Sequence, residues 1–306
     1  MLIQPMSEKL GVYFSPSDDE GLMDIDTGKV IDLIKESGAV LFKGFHADVD
    51  RFDAFSGRFS DDYMDNKGSG SYRETVDQGH DGTIQNTAYV YGVDQQRTFG
   101  LPLHADRSYV KSQPVILWFM CARHATGGGG ETLACDGVKV CEGLSEPTRN
   151  LLTSQRLMYV RHYTEEEWKL LYHTDDLADV ERYCAENDMR LSVNSDRSIK
   201  TEYLKPAIVE TRWGGHKSFC NSMLIVLWQE EGLKRTSSVV RLEDGSKIPA
   251  EVVREIEAVS EACTVELPWW DGDLIMIDNT RVLHGRRAFN DQKRAILIRM
   301  CRSVSW

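Results

Sequence analysis

Two histidines and one aspartate, widely separated in the chain, are the sequence feature that most constrains the fold. His104 and Asp106 stand two residues apart in the triplet His-Ala-Asp, and His284 lies in the segment Asp278–Arg286. Two imidazoles and one carboxylate are the ligand set of a non-haem Fe(II) site whose remaining coordination positions stay open. Residues i and i+2 of a strand point to the same face. We therefore expect His104 and Asp106 on one strand, with His284 brought beside them by a neighbouring strand.

A second triplet of the same form, His46-Ala47-Asp48, favours a structural interpretation. It follows the apolar run Ala39–Phe42 and precedes Phe52 and Phe55, which recur at helical spacing. We therefore expect Asp48 to cap a helix and His46 to lie in a loop. Four further histidines are interpreted as surface residues or satisfied core residues: His124, His162, His173 and His216.

Composition and charge narrow the class of protein. The chain of 306 residues is long enough for one large domain with a substantial core. Its formal charge of −12 argues against a nucleic-acid partner, because a phosphate backbone repels such a surface. No apolar run approaches the roughly 18–20 residues of a membrane span, and the N-terminal residues lack the basic and apolar blocks of a signal peptide. Seven cysteines without a CxxC pair predict free thiols in a reducing compartment, so we expect a cytoplasmic protein.

Local patterns predict several helices and many strands. Capping residues and helix breakers indicate helices through Val30–Ile34 (capped by Thr27 and ended by Gly38), after the capping box at Thr164, over Asp176–Asn187 and after Pro249. Apolar runs bounded by turn residues indicate strands at Val40–Phe42, from Pro114 to Arg123, and at Thr264–Leu267, Asp273–Asp278, Arg281–His284 and Arg294–Cys301.

The order of these elements favours an α+β or mainly β core. Strands and helices do not alternate regularly, which argues against a doubly wound parallel sheet. The stretch 56–97 is polar and rich in glycine, and a loop of that length in a compact domain is often a lid. We find no linker or repeat, so a single domain over residues 1–306 is expected, with its core at about 38–302.

Further residues extend the pattern around the candidate ligands. Gly129-Gly130-Glu131-Thr132 follows His104, and Lys293-Arg294 follows His284. In this order and spacing, the chain resembles the Fe(II)/2-oxoglutarate dioxygenases of the taurine dioxygenase (TauD/TfdA) and clavaminate synthase-like superfamily, over most of residues 38–302. The resemblance implies a double-stranded β-helix, a cupin-like jelly roll, with helices packed around it and a lid-like insertion.

The resemblance also implies a role for each matching residue. His104, Asp106 and His284 would hold Fe(II) and form the catalytic centre. Thr132 would hydrogen-bond the distal carboxylate of the cosubstrate 2-oxoglutarate, and Arg294 would pair with it, since a planar guanidinium binds a carboxylate through two parallel hydrogen bonds. Arg299 lies five residues further along the same predicted strand and should face away from Arg294. If the turn at residues 290–292 is built differently, Arg299 is the inward residue instead.

The implied reaction is oxidation, most simply hydroxylation, of an unactivated C–H bond with dioxygen and 2-oxoglutarate, releasing succinate and CO2. The implied substrate is a small amino-acid-like molecule of specialised metabolism, free or tethered to a carrier protein. Desaturation and cyclisation use the same cofactors. Asp106 argues against halogenation, because halogenating relatives replace this carboxylate with a small residue to admit chloride. Arg73 and Arg161 are candidates for pairing with a substrate carboxylate.

Two other classes of protein are compatible with the three ligand residues. A zinc hydrolase would use them with a bound water, but Thr132 and Arg294 would then have no purpose. A non-catalytic β-sandwich binding protein would make the triad coincidental. Other conspicuous residues are given structural interpretations: Gly127–Gly130 as a tight turn rather than a phosphate loop, Asp273 as part of a turn, and Tyr109, Trp118 and Trp213 as core aromatics.

Overall fold

The computed structural model describes residues 1–17, 20–68, 73–76, 82–87, 98–234 and 237–306. The helices in these ranges are α1 (Thr27–Ser37), α2 (Val49–Ser56), α3 (Gly137–Gly143), α4 (Glu146–Ser154), α5 (Glu165–Tyr172), α6 (Leu177–Glu186), α7 (Met223–Glu231) and α8 (Ala250–Cys263), with a 3₁₀ turn at Leu22–Asp24. The strands are β1 (Leu2–Pro5), β2 (Val12–Ser15), β3 (Ala39–Phe42), β4 (Tyr63–Met64), β5 (Gln85–Asn86), β6 (Leu101–His104), β7 (Ile116–Arg123), β8 (Thr132–Asp136), β9 (Arg156–Tyr163), β10 (Arg190–Val193), β11 (Ile199–Pro206), β12 (Val209–Glu210), β13 (Lys217–Ser218), β14 (Ser238–Leu242), β15 (Thr264–Leu267), β16 (Leu274–Asp278), β17 (Val282–Arg286) and β18 (Ala295–Cys301).

Two sheets carry the candidate site. The first sheet has the order β1-β2-β3-β16-β7-β18-β4, with β5 also paired to β18. Only β2 and β3 pair in parallel among its described strands. The second sheet has the order β15-β8-β17-β6 and is antiparallel throughout. A further sheet, β10-β11-β9-β14, and the pair β12-β13 are formed by residues between β8 and β15. The result is a mixed fold of several sheets and helices.

The nearly uninterrupted apolar run of β7 is explained by burial on both of its faces. On one face, Leu117 and Phe119 pack against residues of the second sheet such as Ala134 and Val282. On the other face, Trp118 packs against aromatic residues of β3 and α2, including Phe42 at a ring distance of 5.8 Å. A strand that is covered on both sides needs apolar residues at successive positions rather than at alternate ones.

The second sheet is likewise covered on both faces. Leu133 and Leu283 point to the side on which α7 and α8 pack, where they contact a cluster that includes Met223 and Ile256. The alternate residues of the same strands point toward the first sheet, because side chains of a strand alternate between its two faces. Polar residues that occur at these inward positions are therefore candidates for the functional site.

Helix termini follow the capping residues, with one correction. The predicted cap of α1 at Thr27 is wrong, because the carboxylate of Asp26 accepts a hydrogen bond from the Gly28 amide at 2.9 Å and Thr27 is the first helical residue. Gly38 ends the helix with φ of +76°, as expected for a residue without a Cβ. The predicted N-cap at Asp48 and the capping box at Thr164 are both confirmed.

The predicted lid at 56–97 is described only in part, because 69–72, 77–81 and 88–97 lie outside the described residues. In the remainder, β4 and β5 both pair with β18, and Thr75 forms an isolated bridge with Gln85. Parts of this stretch therefore belong to the first sheet. Its action as a lid stays a prediction.

All seven cysteines are free thiols. No helix in the described ranges has both the length and the apolarity to cross a membrane.

The packing of Trp118 predicts a large stability cost for its removal. Its side chain is fully buried and contacts three phenylalanine rings. We expect Trp118→Ala to lower the free energy of unfolding by about 3–5 kcal/mol, the usual cost of a large cavity. Trp270→Ala is the matched control, because Trp270 is 59% exposed, and its effect should stay within about 0.5 kcal/mol. Chemical denaturation measures both, and equal losses would contradict the prediction.

Candidate metal centre and cosubstrate site

Strand pairing brings the two histidines together. His284 on β17 lies directly opposite His104 at the end of β6, and their ring centroids are 4.4 Å apart. Asp106 joins them, so that the ligand atoms of the three side chains all lie within 4.8 Å of one another. The prediction that a neighbouring strand supplies His284 is confirmed. The prediction that Asp106 shares the strand of His104 is wrong, because β6 ends at His104 and Asp106 lies in the turn that follows.

The buried side chain of Asn279 holds this turn in place. Its Oδ1 accepts a hydrogen bond from the Asp106 amide at 2.9 Å, and its Nδ2 donates to the carbonyls of Asp106 and Pro114 at 3.0 and 2.9 Å. The Ser222 hydroxyl donates to the Ala105 carbonyl at 2.7 Å. These hydrogen bonds hold the turn in place of the strand-to-strand hydrogen bonds, which end at β6. Asn279 was missed in the sequence, although its position between a buried strand and His284 was a usable signal.

Each imidazole has a distinct environment. His104 Nδ1 lies 2.9 Å from the Pro102 carbonyl, so it carries the proton and leaves Nε2 as an electron-pair donor. His284 Nδ1 is buried and has no hydrogen-bond partner among the described residues. Burial lowers the pKa of His104, and burial together with the neighbouring His104 imidazole lowers the pKa of His284 to about 3. Both rings are therefore neutral at neutral pH, which is the form that binds metals.

Asp106 is ionised despite its burial. Burial by itself would raise the pKa of this carboxyl, but the Arg73 guanidinium and the two imidazoles outweigh it and hold the pKa well below its usual range. Arg73 Nη2 donates to both carboxylate oxygens, at 3.1 and 3.3 Å. Arg73, a weak candidate in the sequence, therefore lies beside the predicted ligands.

The donor set fits a divalent transition-metal ion. Two neutral imidazoles and one carboxylate converge in a buried position, and the unpartnered nitrogen of His284 is costly unless it finds a partner. Within the described ranges, this is the only group of three or more His, Cys, Asp or Glu side chains close enough to hold a metal. His124 pairs with Asp271 instead. His162, His173 and His216 also lie outside the group.

The predicted cosubstrate residue Thr132 lies at the start of β8, the strand that pairs with β17. Its partner across the β8–β17 ladder is Arg286, two pairs beyond the His284–Ala134 pair. Because His284 and Arg286 are two residues apart on β17, they share a face with Thr132. The Thr132 hydroxyl accepts a hydrogen bond from Trp269 Nε1 at 2.7 Å. Arg286 was missed in the sequence, although its spacing of two from His284 indicates the same face.

Arg294 lies just before β18, and its guanidinium is buried beside that of Arg286. Arg294 donates from Nε and Nη2 to the Gly130 carbonyl at 3.0 and 2.6 Å. Both guanidinium carbons face the Phe289 ring, at 5.0 Å for Arg294 and 4.8 Å for Arg286. Burial lowers the pKa of Arg294 to about 10, and burial with the charge of Arg294 lowers the pKa of Arg286 to about 9. Both remain cationic at neutral pH.

The predicted tight turn at Gly127–Gly130 is confirmed and explains how Arg294 reaches this position. Gly130 has φ of +77°, and a Cβ on it would lie 2.7 Å from Arg294 Nε. A Cβ on Gly129 would lie 2.2 Å from the Ala288 carbonyl oxygen. Only glycine allows both the left-handed backbone and the close approach.

Arg299 points away from the candidate site. It pairs with Trp118 across the ladder and therefore lies on the opposite face of the first sheet from Phe119, whose ring is 5.1 Å from that of His284. Its guanidinium forms an ion pair with Asp53 at 2.7 Å and donates to the Ser56 hydroxyl at 2.9 Å. Arg299 thus connects α2 to the sheet.

The other residues singled out in the sequence make packing contacts and hydrogen bonds within the fold. Arg161 is buried with its guanidinium carbon 3.5 Å from the Tyr109 ring centroid, and it donates to the Tyr163 hydroxyl at 3.3 Å. Trp213 stacks on Trp306 at a ring distance of 5.2 Å. Asp273 lies in the predicted turn before β16, where it accepts a hydrogen bond from the Gly44 amide.

Comparisons with known proteins agree with this geometry. The model of the "Taurine catabolism dioxygenase TauD, TfdA family" matches residues 3–301. A clavaminate synthase-like protein of Arabidopsis thaliana is 30% identical over 288 residues, which cover 88% of this chain and 83% of that protein. Among solved structures, a taurine dioxygenase from Burkholderia xenovorans has a TM-score of 0.61 at 15% identity, covering 98% of this chain and 88% of the other. PvcB of Pseudomonas aeruginosa, described as an Fe, alpha-ketoglutarate dependent oxygenase from an isonitrile synthetic pathway, has a TM-score of 0.52 at 16% identity, covering 97% and 86%.

The chain belongs to the TauD/TfdA family of dioxygenases. The family resemblance predicted from the sequence is therefore confirmed, and with it the assignment as a dioxygenase enzyme. Fe(II), 2-oxoglutarate and dioxygen, the cofactors predicted from that resemblance, are supported by the same membership.

The hydrogen bonds of Asn279 predict a defect in metal binding when they are removed. Asn279→Ala frees the backbone around Asp106, and residues that orient metal ligands typically contribute about 10–100-fold to metal affinity. We expect a loss of this size when Fe(II) or Co(II) is titrated anaerobically into the folded variant. Asn150→Ala on the exposed surface of α4 is the control and should bind as the unaltered protein does. Unchanged affinity in Asn279→Ala would show that the turn is held by other contacts.

Proposed function

We propose that this protein is an Fe(II)- and 2-oxoglutarate-dependent oxygenase that hydroxylates an unactivated C–H bond of a small amino-acid-like substrate, releasing succinate and CO2. The observation that carries the proposal is the convergence of His104, Asp106 and His284, whose ligand atoms lie within 4.8 Å of one another. Thr132 and Arg286 form a pair two positions further along β8 and β17, and Arg294 is buried beside Arg286. The description of PvcB supports a place in specialised metabolism.

We infer that the two sheets form a double-stranded β-helix within one domain over residues 1–306. Successive strands from β5 to β8 alternate between the first and the second sheet, and β15 to β18 do so again. This alternation is what a jelly roll requires, with the helices and the third sheet between β8 and β15 as an insertion. The seven free thiols support a reducing location such as the cytoplasm.

The metal would be held by His104, Asp106 and His284. The Pro102 carbonyl orients His104 so that Nε2 is the ligand atom, and Asn279 fixes the turn that presents Asp106. Three protein ligands would leave the remaining coordination positions of the metal for cosubstrate and dioxygen. Fe(II) with 2-oxoglutarate and dioxygen supplies the oxidising chemistry when bound, and the protein supplies position and charge.

Arg294 and Thr132 would bind the distal carboxylate of 2-oxoglutarate, with Arg286 adding a second positive charge. Their burial favours a tightly held anion, because hydrogen bonds to charged groups are stronger where water is excluded. A zinc hydrolase would have no use for this cationic cluster. Asp106 supports hydroxylation over halogenation, since its carboxylate takes the place that chloride would need.

Removal of one metal ligand tests the proposed activity. His284→Ala should reduce succinate formation to background, while the unaltered protein should require Fe(II), 2-oxoglutarate and oxygen together. Mass spectrometry of a converted substrate should show the gain of one oxygen atom. Loss of two hydrogens would instead assign desaturation or cyclisation, and oxygen-independent turnover with Zn²⁺ would assign a hydrolase.

Two arginine variants test the cosubstrate site. Arg294→Ala should raise the dissociation constant of 2-oxoglutarate at least about 30-fold, because a truncated partner of a buried charge pair costs roughly 2–5 kcal/mol. Arg299→Ala is the matched control, and it should lower stability through loss of the Asp53 pair while leaving 2-oxoglutarate affinity unchanged. If only Arg299→Ala weakened cosubstrate binding, Arg299 rather than Arg294 would be the residue that binds 2-oxoglutarate.

A further inference from the structure

A polar cavity of about 330 Å³ is lined in part by Arg73, the residue that also donates to the predicted metal ligand Asp106. We call this space the Arg73 cavity. Its polar lining consists of Asp65, Asn66, Arg73, Thr75, Gln85 and His173. The cavity therefore joins one of the predicted metal ligands, through Arg73, to a set of side chains suited to a polar ligand.

Arg73 has hydrogen-bonding capacity left for a ligand. Its described hydrogen bonds go from Nη2 to Asp106 and from Nη1 to the Met300 sulfur at 3.6 Å. A guanidinium carries five N–H donors, and the Nε–H is among those without an acceptor in the described part of the chain. When Asp106 serves as a metal ligand, the cation neutralises its charge. The largely buried guanidinium of Arg73 would then be less well compensated, and a second anion would stabilise it.

Gln85 provides a second, independent indication of a ligand. Its side chain is 3% exposed, it lines the same cavity, and its Oε1 has no hydrogen-bond partner among the described residues. On the first sheet, Gln85 pairs with Ile298, and Ile298 pairs with Phe119, so the side chain of Gln85 lies on the face that also meets His284. A buried amide without a partner is destabilising, whereas a ligand N–H would satisfy it.

We propose that the Arg73 cavity binds the substrate as a free amino acid, with its carboxylate paired to Arg73 and its amino group donating to Gln85. This inference rests on the proposed function and narrows it. A planar guanidinium recognises a carboxylate through parallel hydrogen bonds, and a carboxamide oxygen accepts from an ammonium group. An acyl group tethered to a carrier protein has lost its carboxylate to the thioester and cannot form the first contact.

The test uses the protein loaded with Fe(II) and 2-oxoglutarate without oxygen. The probes are the twenty standard L-amino acids, their C-terminal amides and their desamino acids. Binding is read from the change in the visible absorption of the iron–cosubstrate complex, which requires no turnover. We expect at least one amino acid to bind, with its amide and its desamino acid each at least about tenfold weaker, a difference of roughly 1.4 kcal/mol.

Two variants assign the contacts. Arg73→Ala should abolish the preference for acid over amide, and Gln85→Leu should abolish the preference for the amino acid over its desamino acid. In Gln85→Leu the thermal midpoint should stay the same or rise, because an unsatisfied buried group is removed. Arg182→Ala, an exposed arginine on α6, is the control and should retain both preferences.

Three outcomes would overturn the inference while leaving the proposed function intact. They are the binding of no amino acid by the unaltered protein, the persistence of both preferences in the variants, and turnover of carrier-tethered substrates only. Absence of the iron–cosubstrate absorption in the unaltered protein, before any probe is added, would instead contradict the proposed function itself.

Discussion

The pairing of β17 with both β6 and β8 is the constraint on which the rest of the site depends. It places His284 opposite His104 and Arg286 opposite Thr132 in one register. A slip of one residue would turn every side chain of β17 to the other face of the sheet. The metal centre and the cationic cluster would then be lost together. Burial of both faces of β17 opposes such a slip, because Leu283 must meet the helices while its neighbours face inward.

Two separate groups of largely buried arginines lie around the candidate site. Arg73 lies at Asp106, whereas Arg286 and Arg294 lie together near Phe289, beside the strand position of Thr132. Buried cations are stable only with anions or strong hydrogen bonds nearby. A dioxygenase of this family needs to hold an anionic cosubstrate, and the proposal for the Arg73 cavity adds an anionic substrate. The cosubstrate would then pair with Arg286 and Arg294, and the substrate with Arg73, so that each anion has its own cationic partner near the metal.

Much of the fold was predictable because its signals are local. The caps at Asp48 and Thr164 and the turn at Gly127–Gly130 depend on residues within a few positions of each other. The predicted strands around the candidate site were also found, although with shifted ends. The cap of α1 was misplaced by one residue because Asp26 and Thr27 are both good capping residues, and the carboxylate one position earlier was overlooked.

The sequence by itself determined the residue types of the site, and their order and spacing match those of the dioxygenase family. For this reason His104, Asp106 and His284 could be proposed as one centre. Only the tertiary structure decided that Asp106 lies in a turn held by Asn279, that Arg73 reaches this carboxylate, and that Arg299 faces α2 instead. The physical reason is that spacing along the chain fixes geometry only within one helix, strand or turn. Contacts between distant segments depend on strand register, on the bulge next to Ala295 and on loop paths, which arise from the packing of the whole chain.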